Sequence, residues 1–413
     1  MRIACIYLPS LPLQVRLRGA PHLVGAPVAV VATPRPTAIT DRVHGSGPVV
    51  VARSRAAAAA GVRLGTSALA ARESVPGLIV TDGDRAAEAA AVRAVAEALG
   101  ALTPRIDLGG DPGSHHALYA EVPARVRGAT FGARVLEVLE AQGLRGRVGI
   151  ADDRFTAWVA ASWHAPSAHD AGEVVTVPRG GSAAFLAPLP LALLAISPEV
   201  QHVLGALGVR TLGEFAALPP PSTAHVWDAD YQALARGDGG AGLEVFRPVG
   251  RIVERIELGG ELGAAAALGL AVRRVAARLA GRGRAAAKVV VRAGEREVDV
   301  ALDAPLADEA DLGDAIGRAL HEVGAAGFLE IAVDVHVEAG RPPMTVGTGA
   351  AAGDARAAVP TAVADVASGP VEVSFQLTAP ASQAMVPRQP HRRTRRGKQR
   401  PRIGVAAQSR LFS

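Results

Sequence analysis

Cysteine is almost missing: Cys5 stands alone among 413 residues. That excludes an intramolecular disulfide framework and a cysteine-rich zinc module, and it fits a reducing compartment. Long apolar runs are missing as well. No stretch approaches the ~18 consecutive apolar residues of a membrane span, and the opening run from Ile3 to Leu8 is too short for a signal peptide and is broken by Pro9. Secretion and membrane insertion are therefore disfavoured, and a cytoplasmic protein is expected. Acidic residues are absent from two stretches, Met1 to Thr40 and Val386 to Ser413.

What is present argues for a globular body with a basic tail. At 49% hydrophobic and 20% charged residues, most of the chain has enough apolar surface to fold, and the length suggests about two to four domains. Of the 44 Lys and Arg residues, nine fall between Val386 and Ser413 with no acid among them, so the preceding chain holds a small excess of acid. The net charge of +5 therefore supports nucleic-acid contact only for the tail. Residues Val386 to Ser413 are too basic and too poor in apolar side chains to build a core, and disorder is expected there.

The apolar patterning predicts an α+β, multi-domain chain. Short β-branched runs bounded by Gly or Pro predict strands over Ile3 to Leu8, Val28 to Ala32 and Val49 to Val51. Alanine-rich helices flank Gly61 to Gly65, and helical spacing continues over Asp84 to Leu102 and Phe131 to Gln142. Strands are predicted over Leu118 to Val122 and Arg147 to Ala151, followed by a helix over Phe155 to Ser162. Pro198 to Leu207 and Leu212 to Ala217 form two short helical patterns joined by Gly208, Val209, Arg210 and Thr211. Such a hairpin offers helix amides to a phosphate, although a plain helical hairpin has the same pattern. Arg236 to Gly242 reads as a linker. Beyond it the order is βαββαβ, from Ile252 to Val337. Gly340 to Ser374 is rich in Ala, Gly, Pro and Thr and is expected to be irregular.

In order and spacing these pieces resemble a Y-family translesion DNA polymerase. The carrying strings are Val49 to Arg55 leading to Gly61-Val62-Arg63-Leu64-Gly65, Leu102-Thr103-Pro104-Arg105-Ile106, Val148-Gly149-Ile150-Ala151, and Leu207-Gly208-Val209-Arg210-Thr211-Leu212-Gly213. The resemblance covers roughly residues 1 to 340. It implies a palm over 1–185 with a fingers insert over about 16–77, a helix-hairpin-helix thumb over 186–242, and a βαββαβ little finger over 243–340. An irregular segment, 341–385, and the basic tail, 386–413, complete the chain.

The resemblance also shows where the chemistry departs. Polymerase phosphoryl transfer needs carboxylates that hold two divalent cations. At the place of the first-strand aspartate this chain has Tyr7, and at the place of the Ser-x-Asp-Glu hairpin it has His115 and His116, or His116 and Ala117 if the register shifts by one. The fingers Tyr and Arg that contact the triphosphate are replaced by Arg55 and Ala58. Asp107, Asp111, Glu121, Asp152 and Asp153 are nearby acids, but none lies on the first strand. No cofactor or metal is expected, and adjacent histidines without further spaced ligands are more often loop residues than a metal site.

The last residues carry a second signal. Gln408-Ser409-Arg410-Leu411-Phe412 resembles the pentapeptide with which bacterial replication proteins dock on the β sliding clamp, with Gln408, Leu411 and Phe412 as the contacts. Upstream, Arg392, Arg393, Arg395, Arg396 and Lys398 would meet DNA phosphates without sequence preference, since no aromatic side chain is interleaved for stacking. Arg210 and Thr211 are the thumb's candidate DNA contacts.

Together these features resemble the catalytically inactive, ImuB-like members of the family. That implies an adaptor in damage-induced mutagenesis which docks on the clamp and recruits a DnaE-type error-prone polymerase and an ImuA-type, RecA-like protein on damaged or primer-template DNA. Two alternatives stand beside it. One is a working translesion polymerase with non-standard ligands such as Asp107, Asp111 and Glu121. The other is a DNA-binding protein only, which the acidic body disfavours.

Overall fold

The computed structural model describes residues 1–33, 47–109, 116–163, 173–219, 229–240, 242–259, 262–323 and 327–336. The expectations for 341–385, for the basic tail and its clamp motif, and for His115 and Asp111 lie outside the described residues.

A five-stranded sheet organises the first part of the chain. Its central strand, β1 (Arg2–Tyr7), is buried along its whole length, which explains why its sequence runs apolar instead of alternating. After helix α1 (Leu11–Gly19), strands β2 (Val28–Ala32) and β3 (Val49–Arg53) leave the main sheet. Short helices α2 (Arg55–Ala59) and α3 (Ala68–Ser74) follow, each started by a serine side chain, Ser54 or Ser67, that accepts an amide hydrogen bond. Strand β4 (Ile79–Asp82) then pairs parallel to β2, giving a small sheet in the order β3-β2-β4. This strand lies just after residue 77, about where the resemblance ends the fingers insert.

Helix α4 (Arg85–Leu99) begins at an Asp84 cap. After it come β5 (Ile106–Asp107), β6 (Ala117–Val122), α5 (Gly128–Ala141), β7 (Arg147–Ala151), α6 (Arg154–Ser162) and β8 (Val174–Thr176). The main sheet has the order β5-β6-β1-β7-β8, with β1 antiparallel to both β6 and β7. Ala4 and Ile6 point into a core shared with Val92, Val95 and Leu99 of α4 and Phe131, Val135 and Leu139 of α5. On the opposite face α6 packs so closely on β7 that a Cβ at Gly149 would meet the backbone of Ala157 and Ala161. Only glycine fits there.

The thumb-like part contains α7 (Ser182–Leu186), α8 (Pro198–Ala206), α9 (Leu212–Ala216) and α10 (Ala229–Arg236). The last domain follows the expected βαββαβ order: β9 (Ile252–Glu257), α11 (Ala264–Arg282), β10 (Ala285–Ala293), β11 (Arg296–Val300), α12 (Glu309–Val323) and β12 (Phe328–His336). Its antiparallel sheet has the order β11-β10-β12-β9 and is packed against both helices around Ile252, Val275, Leu279, Val289, Ile316 and Ile331. Among the described residues no helix is long and apolar enough to cross a membrane.

This last domain is seated on α1 and α4 through a buried ionic cluster. Glu254 of β9, 2% exposed, accepts from Arg18 at 2.7 Å and from Arg278 at 2.9 Å, and Arg274 lies 3.9 Å away. Glu97 of α4 accepts from Arg278 at 2.7 Å and from Arg282 at 2.8 Å. Burial opposes ionisation of Glu254, but the surrounding Arg18, Arg278 and Arg274 outweigh it and hold the carboxyl below the usual glutamate range. Burial pushes Arg274 down to about 9, with Arg18 adding to the fall and Glu254 opposing it. The two helices touch through glycines: a Cβ at Gly281 would collide with the Glu97 carbonyl, and one at Gly100 with the Gly281 carbonyl.

Candidate functional site

The register of β1 sets the face on which polymerase chemistry is expected. Tyr7 lies opposite Ala117 on β6 and Arg147 on β7, and cross-strand partners share a face. Tyr7 and, in the shifted register, Ala117 are the ligand places of the resemblance on this row, which with the neighbouring Arg147 offers a phenol, a methyl group and a guanidinium. Tyr7 is 6% exposed. Burial, chiefly, pushes its phenol up, with Arg147 acting the other way and Cys5 adding to the rise. Hard divalent cations take oxygen ligands with negative charge, and this row supplies no carboxylate. The residues present do not fit a pair of Mg²⁺ ions.

One step further along β1, Cys5 faces Tyr119 on β6 and Gly149 on β7. The thiol is completely buried, and burial drives its pKa up, while Arg154 and a hydrogen bond from Tyr119 act against the rise. A neutral, enclosed thiol is a packing group, as the apolar surroundings of Cys5 suggest from the sequence. The Arg154 guanidinium lies 4.2 Å from the centre of the Tyr119 ring, a cation-π contact.

Arg154 also decides what Asp107 does. Its Nη1 donates to Asp107 Oδ2 at 2.6 Å. The same carboxylate oxygen accepts from the Glu244 amide at 2.7 Å, and Oδ1 accepts from the Gly109 amide at 2.7 Å. Arg154 holds the following segment from its own side, through Gly240 O to its amide and Gly242 O to its side chain. Phe246 then donates to Ile106 O of edge strand β5. On the two sides of Ala241 the segment read as a linker is thus held in place, Gly240 and Gly242 by Arg154, with Glu244 held by Asp107 and Phe246 by β5 beyond it. Asp107 is a structural anchor for the connection to the last domain.

The other nearby acids are similarly committed. Glu121 pairs with Arg105 at 3.3 Å. Asp153 caps α6 through the Thr156 amide and accepts from Ser182 Oγ at 2.8 Å. Asp152 accepts from Arg2 and from the Gly180 amide. His116 has a left-handed backbone, φ 51, and its carbonyl accepts from the Leu8 amide at 2.6 Å, so it shapes the turn into β6. No group of three or more His, Cys, Asp or Glu side chains that could hold a metal ion occurs among the described residues.

The helical hairpin has the two expected helices, but the amides of its loop are engaged. The amides of Arg210 and Thr211 both donate to Glu214 Oε2, at 2.7 and 2.9 Å, and Thr211 Oγ1 accepts from the Glu214 amide in return. This capping box occupies the donors that a phosphate would use, so Arg210 and Thr211 do not present free helix amides. The Thr211-x-x-Glu214 spacing is the signal in the sequence that could have found it. The structure brings Tyr7, Ala117 and His116 to one end of the first sheet; Arg210 and Thr211 belong to the separate helical hairpin. Arg147 and Arg154 were not singled out by sequence, since arginines next to a strand or at a helix start carry no motif.

Residues 6–162 match the family model described as "IMS: impB/mucB/samB family". No curated protein sequence gives a significant match. Solved structures similar to the chain include the post-insertion binary complex of Dbh DNA polymerase, with 14% identity, a TM-score of 0.49 and coverage of 81% of this chain and 98% of that one. They also include DinB from Sulfolobus solfataricus, with 14% identity, a TM-score of 0.46 and coverage of 81% and 99%. The insertion ternary complex of Dbh DNA polymerase matches with 13% identity, a TM-score of 0.47 and coverage of 81% and 99%. Over residues 6–162 the chain is thus similar to the impB/mucB/samB family.

Proposed function

We propose that the chain is a catalytically silent, ImuB-like adaptor of translesion synthesis: a polymerase-like body that docks on the β sliding clamp through its terminal pentapeptide. In this reading it brings a DnaE-type error-prone polymerase and an ImuA-type, RecA-like protein to damaged DNA. The observation that carries the proposal is the row of Tyr7, Ala117 and Arg147 on β1, β6 and β7. Two-metal phosphoryl transfer requires carboxylates on that row, and a guanidinium repels the cations that would bind there. The engagement of Asp107 by Arg154 and two amides supports the same reading, because a ligand in use as an anchor is not available to a metal.

The basic tail fits the adaptor role through physical tethering, which raises the local concentration of a partner without new contacts in the body. Primer extension by the purified chain, in Mg²⁺ and in Mn²⁺, tests the catalytic half of the proposal. No incorporation above background is expected. Incorporation that disappears on Asp107→Ala or Glu121→Ala would instead favour a polymerase with non-standard ligands.

A further inference from the structure

The end of β1 opposite Tyr7 carries a feature that the adaptor reading does not use. Arg2, Arg127 and Arg179 line one cavity of about 280 Å³, together with Val126, Gly128 and Thr176, and no Asp or Glu lines it. Arg2 is buried and fixed: Nη1 donates to Asp152 Oδ1 at 3.1 Å and Nη2 to Val177 O at 2.6 Å. Although burial acts the other way, the Gly180 amide, Arg2 and Arg179 hold the Asp152 carboxyl below the usual range. Among the described residues Asp152 is therefore an anion paired with Arg2 alone, and the cavity keeps an excess of positive charge from Arg127 and Arg179. Arg127 has no ion pair among the described residues, and as the N-terminal boundary of α5 it supplies no oxygen cap to that 14-residue helix, whose first turn also lacks an acid.

We infer that this cavity binds a phosphate group, carried either by a small free phosphate compound or by a nucleic-acid strand. Guanidinium groups match phosphate oxygens in pairs, and the first turn of α5 adds amide donors and the positive end of the helix dipole. The volume leaves room for the group that bears the phosphate. A six-residue strand spans about 17 Å, so a ligand here stays clear of the Tyr7 row and the site is independent of the lost metal positions.

Pyrophosphate, a 5′-phosphorylated tetranucleotide and its 5′-hydroxyl counterpart would be titrated into the full chain and into the double variant Arg127→Gln, Arg179→Gln. Arg2 is left in place because its bonds belong to the fold, and the single, exposed Arg179→Gln provides a milder change. Wild type should bind pyrophosphate, the double variant at least tenfold more weakly and the single variant to an intermediate degree, with an unchanged melting temperature. Competition by both tetranucleotides assigns the site to a backbone phosphate, competition by the phosphorylated form alone to a terminal phosphate of a nucleic acid, and competition by neither to a small compound. No pyrophosphate binding, or equal binding by wild type and double variant, would overturn the proposal, the second result placing the anion on other basic residues.

Discussion

Replacing Glu254 by alanine should destabilise the protein by about 3–5 kcal/mol, the cost of leaving buried charges without their partner. Glu254 accepts from Arg18 of the first domain and from Arg278 of the last, so its removal strands guanidinium groups on both sides of one contact. The expected result is a lower melting temperature and faster proteolysis between Gly237 and Arg251. The pH dependence has a definite sign. The folded carboxyl is held below the glutamate range, so its contribution is complete above about pH 4.3, the value for an unfolded glutamate, and is lost as pH falls through the folded value. Acid should therefore loosen the last domain in the wild type and have less effect on Glu254→Ala. Gly281→Ala reaches the same contact without touching a charge, by forcing α11 away from the Glu97 carbonyl, and should also loosen it. If both variants melt like wild type, the seating of the last domain is not held by this contact.

The second large effect is expected at the terminal pentapeptide. Changing Gln408, Leu411 and Phe412 together to alanine removes two apolar side chains, each contributing up to ~1.5–3 kcal/mol by burial, and one amide hydrogen bond. Clamp affinity should fall by at least about a hundredfold, read by equilibrium binding of full-length chain to the sliding clamp of its own organism. Ser409 and Arg410 depart from the usual preference for Leu and for Ser or Asp at those places, so the wild-type affinity should be moderate. A wild type that does not bind would make the pentapeptide match incidental, and the recruitment of a polymerase would then have to rest on contacts with the body.

The elements that could be read from sequence are those with one dominant pattern. β1 is an uninterrupted apolar run because both of its faces are covered, and α4 repeats Val92, Val95 and Leu99 at helical spacing. The elements that escaped have mixed signals. Helix α1 carries Pro12, Arg16 and Arg18; the proline is tolerated only because it falls in the first turn, and both arginines make ion pairs with β9 instead of facing solvent alone. Strand β4 is four residues between Gly77 and Gly83, and α10 is eight residues long, too short for a period to emerge. The absence of an acid on β1 was legible at Tyr7, since no acid occurs before Asp41. The fate of Asp107 was not, because its partners Arg154 and Glu244 are 47 and 137 residues away. Nor was the cluster around Glu254 and Glu97, where arginines of α11 that look like a solvated helix face turn inward.

The proposed adaptor role, a polymerase-like body without metal chemistry of its own and with a terminal docking peptide, makes a clear joint demand on function. It should do nothing to a primer alone and should matter only when the clamp and a second polymerase are present. The direct measurement is primer extension past a template lesion on clamp-loaded DNA, with a separately purified DnaE-type polymerase, in the presence of wild-type chain or of the variant with Gln408, Leu411 and Phe412 changed to alanine. The account predicts that wild-type chain incorporates nothing by itself, raises bypass by the added polymerase, and loses that effect with the tail variant. Nucleotide incorporation by this chain alone, or no effect of wild-type chain on the added polymerase, would contradict it.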